Sequence, residues 1–299
     1  PAVFTALKSD GTRGFEVDNA GGVSIPSGTV TIGSLDIGHG AGTGGTADTD
    51  STAVGKDALD GSLNTSTHNT AIGSGALSGT MTADADYNTA VGYASLGGLT
   101  SGDRNTALGV DAGDAIAAGH RNTTVGQASL SGVAVDDNTA VGHAALNAFT
   151  GSSATVVGSQ AADAATSATF LTVVGRNAAG GLLTGVGNTA IGYQSLMFAD
   201  GAEARNVALG AHAARFCDGT DDCIAIGYGA LSGSNWGYSD GDTANATKPS
   251  GNQNIAIGSY AMDAMQTGAD NVAVGHNALT NFTGGDTVAV GSNAGVALT

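Results

Sequence analysis

Proline is nearly missing from this chain: it has three in 299 residues, and none between Pro26 and Pro249. So long a stretch without proline can carry an unbroken ladder of backbone hydrogen bonds, because proline offers no amide donor. Positive charge is scarce as well, with nine Lys and Arg against 26 Asp and Glu and a net charge of −17. Such a chain repels phosphate backbones, which argues against nucleic acid as a partner. Aromatic residues make up only 5%, and much of the 41% hydrophobic content is alanine. The expected core is therefore thin rather than broad and globular. No apolar run reaches the roughly 18 residues of a membrane span, so no membrane insertion is expected.

Cysteine is the last scarcity. The only two, Cys217 and Cys223, flank an Asp/Gly-rich segment. A local disulfide is the simplest expectation, and it suggests an oxidising, extracellular setting. With no further soft ligand nearby, no metal site is expected there.

What the chain does have is a short repeat. Fifteen glycines, from Gly38 and Gly55 through Gly73, Gly92 and Gly109 to Gly275 and Gly291, are each followed three residues later by Ala or Ser. Most copies read [NST]-[TVI]-[AVT]-[VIL]-G-x-x-[AS]-[LAMG], as in Asn69 to Leu77. The spacing is 16 to 19 residues except for one step of 31, from Gly227 to Gly258. A fixed period this short is the signature of a solenoid and leaves no room for paired helices. The residues before each glycine alternate with period two, as a strand does. The expected fold is all-β: a parallel β-solenoid of about fifteen coils over residues 33–299, with an insertion at 232–253. Residues 1–32 alternate differently, as in Ala2 to Leu7 and Gly14 to Asp18, and are expected to form a β-rich collar.

Within a copy, positions two and four are Thr, Val, Ile or Leu. β-branched residues suit a buried pleated face, so these positions are expected to point inward. Positions three and five, Ala and Gly, would then form a flat outer face. Three rods could pack such faces together, with Ala71, Ala90 and Ala140 between subunits, so a homotrimer is expected. Position two is Thr from Thr52 to Thr189 and then Val or Ile from Val207 to Val288. An inward Thr row of this kind speaks against ice binding. After the glycine, a tight turn and a second short strand are expected.

The run Asn138 to Leu146 and the related Asn271 to Leu279 resemble the head repeats of trimeric autotransporter adhesins. The version Asn188 to Leu196, with its long Gly/Ser/Thr/Asp spacers, is similar to tail-fibre repeats of bacteriophages, as is the lead-in Leu7 to Thr12. The resemblance covers roughly residues 30–299. It implies a left-handed β-roll in a trimer, outside the cell or on a virion, attaching to host surface glycans or proteins.

Candidate sites lie where the repeat varies. The residue after each motif glycine forms a column that includes Lys56, Tyr93, His143, Arg176, Tyr193, Tyr228 and His276. Aromatic faces with polar tips suit a glycan, so Tyr93, Tyr193 and Tyr228 are candidates. The insertion carries the single Trp236 together with Tyr238, Asp240 and Lys248, and a long loop on a rigid scaffold is a favoured binding place. Acidic loops such as Asp84/Asp86, Asp136/Asp137 and Asp218/Asp221/Asp222 have oxygen ligands for Ca²⁺ but no calcium-loop spacing. Asn64, Asn122, Asn245 and Asn281 sit in Asn-x-Ser/Thr sequences. The six histidines show no metal spacing, and no nucleophile triad or nucleotide loop is present. No cofactor and no enzymatic activity are expected. The leading expectation is a structural and adhesive fibre that assembles with copies of itself. The alternatives are a homopolymeric filament joined end to end by N-terminal strands, and a bacterial adhesin head.

Overall fold

The computed structural model describes residues 51–299 except 62–65, 83, 134, 200, 218, 234–248, 266, 297 and 299. It also describes the backbone of Phe4–Leu7, Arg13–Val17, Val23–Ser24 and Ile37–Gly38. The first three of these strands pair antiparallel in a small sheet of their own. All other strands form one fifteen-stranded sheet in chain order. From Thr52–Val54 to Val288–Val290 every neighbour is parallel and in register, motif position on motif position. The chain is a parallel β-solenoid, and no helix occurs among the described residues. Only the earliest copy departs from this pattern: Ile37–Gly38 pairs antiparallel with Thr52–Val54, so the parallel coils number fourteen rather than fifteen. At about 4.8 Å per coil they make a rod on the order of 60 Å long.

The two faces are the reverse of the expectation. The alanines at position three point inward: Ala71, Ala90 and Ala140 are 0% exposed inside their own coils. They cannot lie between subunits. Positions two and four point outward, with Ile72 40% and Leu108 48% exposed. Width decides the matter. The turn after the glycine sends a large side chain across the coil, as Leu77, Leu96, Leu130 and Leu146 do, all fully buried. Opposite most of these leucines the strand carries alanine, as Ala71 does opposite Leu77 and Ala90 opposite Leu96. Where the inner strand residue grows, its counterpart shrinks: Val156 is matched by Ala162 and Val173 by Ala179, all four buried. Thr124, also inside, donates its hydroxyl to the Ser129 carbonyl at 2.8 Å, so its polar atom does not go unpaired.

The motif glycine is fixed by the next coil. Its φ lies between 127° and 146° in every described coil, a range that L-residues rarely adopt. A Cβ on Gly73 would sit 2.3 Å from the carbonyl oxygen of Gly92. The backbone that approaches so closely belongs to the same chain and not to another subunit. The residues that follow form a turn, not the expected second strand. The second and fourth residues after the glycine adopt left-handed conformations, as in Asp111 (φ 53°) and Leu130 (φ 49°). Coil-to-coil bonding continues through the turn, with Gly75 N–H donating to Lys56 O at 2.9 Å and Leu77 N–H to Ser95 O at 3.0 Å.

The asparagine that opens most copies is buried and links the coils. Asn88 N–H donates to Asn69 Oδ1 at 2.8 Å, Asn105 N–H to Asn88 Oδ1 at 2.9 Å and Asn122 N–H to Asn105 Oδ1 at 2.9 Å. Each Nδ2 also donates to a return-loop carbonyl, such as Gly102 or Gly119. This use of Asn122 buries its amide and rules it out as a glycosylation acceptor in the folded rod. Cys223 takes the same place in its coil: its thiol accepts from Asn254 N–H at 3.5 Å and donates to Gly251 O at 3.4 Å. Cys217 lies in the core and donates to Leu231 O at 3.2 Å. The expected disulfide is therefore not formed, and both cysteines are free and buried. Burial pushes both thiols above their ordinary pKa, which makes them packing groups rather than reactive ones.

Candidate functional site: an aromatic ladder on the turn edge

The turn after the motif glycine brings two successive residues to one edge of the rod. In neighbouring coils this edge carries Tyr193, His212, Tyr228, Tyr260 and His276. Their rings meet edge to face at centroid distances of 5.3, 5.6, 5.4 and 6.2 Å, with interplanar angles between 80° and 89°. The Arg176 guanidinium lies 6.0 Å over the Tyr193 ring and extends the series by one coil. Perpendicular aromatic contacts are the favoured ring geometry, so the ladder is held in place without a ligand. Two of the three tyrosine candidates, Tyr193 and Tyr228, belong to it, and both are more than a third exposed. Tyr93 is in the same column but further along the rod, 60% exposed and apart from the ladder. His212 and Tyr260 escape a single-column reading because they stand two residues after the glycine. Alternation between first and second turn residues, both aromatic over consecutive copies, is the signal that identifies them.

The remaining candidates separate clearly. Trp236, Tyr238, Asp240 and Lys248 lie outside the described residues. Their insertion leaves the ladder intact, because Ile224 and Ile255 are paired in register across it. Two of the three acidic loops are held by arginines, and Asp218, in one of these two, lies outside the described residues. Arg121 forks onto Asp137 at 2.6 and 2.9 Å and reaches Asp136 at 3.2 Å. Arg205 forks onto Asp222 at 2.6 and 2.8 Å. These arginines hold the Asp137 and Asp222 carboxyls below the usual range. Asp86 accepts from Thr67 N–H at 2.5 Å. Among the described residues no group of three His, Cys, Asp or Glu gathers to hold a metal ion. Among the described residues no helix is long and apolar enough to cross a membrane.

Stacked coils, a buried asparagine ladder and a surface read along the rod define a β-solenoid repeat protein. No family model, curated protein or solved structure matches the chain.

Proposed function

We propose that the chain is a structural and adhesive fibre of the phage tail-fibre type, working outside the cell and contacting host surface glycans along its turn edge. The observation that supports this most directly is the ladder from Tyr193 to His276, a rigid array of partly exposed aromatic faces at nearly coil spacing. Successive sugars of a linear glycan can lie against such an array, their apolar faces on rings and their hydroxyls on phenol and imidazole tips. A rod whose coils are bonded at every turn needs no cofactor for this role. Tyr193→Ala, Tyr228→Ala and Tyr260→Ala should each weaken binding on an array of bacterial surface polysaccharides, and the triple variant should abolish it with the fold retained. Wild-type protein that binds no polysaccharide on the array would overturn the reading.

The self-assembly part of the proposal now concerns the outward face of positions two and four. That face joins a Thr/Val/Ile row to a Val/Ile/Leu row without a charge, and a homotrimer that buries it is our reading. One observation favours a second reading of the same face. The threonines from Thr52 to Thr189 point outward in register, so the inward placement that spoke against ice binding does not hold. A subunit that stays monomeric and inhibits ice growth would support this second reading.

A further inference from the structure

Beside the start of the ladder lies a cavity of about 300 Å³, at the small end of the range for ligand pockets. Its walls come from three consecutive coils: Gln160 and Asp163, then Asn177 with a glycine pair, then Met197 and Phe198. Gln160 and Asn177 hold the turn position that His212 and Tyr260 hold further along, two residues after the motif glycine. Asn177 follows Arg176, whose guanidinium caps the ladder on Tyr193. Cavity and ladder therefore share an edge.

The chemistry of the walls selects a ligand. Asn177 Oδ1 is buried and has no hydrogen-bond partner within the protein. Whichever way its amide is turned, the group carries an acceptor oxygen and an NH₂ that donates. Asp163 adds a partly buried carboxylate, raised above the ordinary carboxylate pKa by that burial. A Cβ on Gly180 would stand 3.4 Å from Asp163 Oδ1, so the glycine keeps the space before the carboxylate open. Met197 and Phe198 supply apolar surface. No cation lines the cavity, which disfavours phosphate or an acidic sugar, and one carboxylate is too few for a divalent ion. A neutral pyranose fits all of this: adjacent hydroxyls for the carboxylate and amides, and a C–H face for the phenyl ring and thioether.

We infer that this cavity is a monosaccharide subsite for a neutral sugar, which seats one residue or a branch of a glycan lying on the ladder. The inference rests on the glycan reading of the ladder, and the experiment keeps the two apart. Calorimetric titration with D-glucose, D-galactose, D-mannose and N-acetyl-D-glucosamine should show saturable binding of at least one, while D-glucuronate should bind more weakly. Asp163→Ala and Asn177→Ala should each lower that affinity by about tenfold or more. Neither should unfold the rod, since Ala94, Ala128 and Ala144 occupy the Asn177 position with φ near 52°, and Gly97 and Ser131 occupy the Asp163 position in other coils. Tyr228→Ala should leave monosaccharide affinity unchanged and weaken only polysaccharide binding. Binding that survives both cavity variants, or no binding of any neutral sugar, would overturn the subsite. Polysaccharide binding lost in the tyrosine variants but unchanged in the cavity variants would remove the subsite and keep the ladder. The reverse pattern would keep the subsite and remove the ladder.

Discussion

Asn105 shows how one residue joins three coils. Its Oδ1 accepts from the Asn122 backbone N–H at 2.9 Å and its Nδ2 donates to Gly119 O at 2.8 Å, all in the interior. Removing the side chain strands a buried donor and a buried acceptor, and each orphan costs on the order of 1–3 kcal/mol. Asn105→Ala should therefore lose about 3 kcal/mol of stability in urea unfolding, with early hydrogen exchange at the Asn122 amide. A loss under about 1 kcal/mol would mean that water replaces the ladder. Asp263 makes a different point at the same scale. Burial raises its carboxyl from 3.8 to about 6, and its Oδ1 has no partner. Between those values the folded chain keeps a proton that the unfolded chain has released, so stability falls as pH rises through the window. Asp137 and Asp222 act oppositely, their stabilisation being lost as acid protonates them. The readout is therefore a difference: melting temperature from pH 3.5 to 7, wild type minus Asp263→Asn. That difference should decline towards pH 6 and then level off; a flat difference would rule out the buried proton.

At the scale of the element, a strand here is three residues long and has no stability of its own; the coil is the unit that folds. The coil was legible from the chain because a period of 16 to 19 residues admits little else. Its inside and outside were not. Alternation with period two identifies two faces but does not say which is buried, and hydrophobicity favours Val and Ile over Ala. The deciding fact is three-dimensional: leucines such as Leu77 and Leu146 cross the interior from the turn and fill most of it, so the strand side needs only a small residue such as Ala71 or Ala140. A subtler signal was present nonetheless. Positions one, three and five share a face, and Asn, Ala and Gly there are the residues of crowded, bonded stacking. Val156 with Ala162 and Val173 with Ala179 carry the same message, a larger strand residue facing a smaller turn residue in those two coils. The ladder was half visible for a related reason: sequence placed Tyr193 and Tyr228 in a column, but only the turn shows that His212 and Tyr260 join it. The cavity was not visible at all, because it takes walls from three coils.

At the scale of the whole molecule, charge and apolar surface are segregated. The described charged residues of the parallel coils lie in turns and return loops, while positions two and four stay uncharged in all fourteen parallel coils. Two side-chain rows about 7 Å apart along some 60 Å make a strip on the order of 400 Å², as large as the biggest apolar patch of a typical monomer. A strip that runs in register from coil to coil offers itself to a second copy, and a threefold arrangement would bury it on every subunit at once. Val157 and Val174, 38% and 39% exposed on adjacent coils, sit near its middle. Glutamate at either place costs an isolated rod little, since the side chain reaches water. In a trimer it brings three like charges together beside a dehydrated surface, where repulsion is poorly screened. Val174→Glu should therefore shift the sedimenting species from trimer to monomer without changing the circular dichroism spectrum. Wild type that already sediments as a monomer at micromolar concentration would show that a second copy does not cover the strip. Growth arrest of ice crystals by that monomer would then assign the face to the outward threonine row, Thr52 to Thr189.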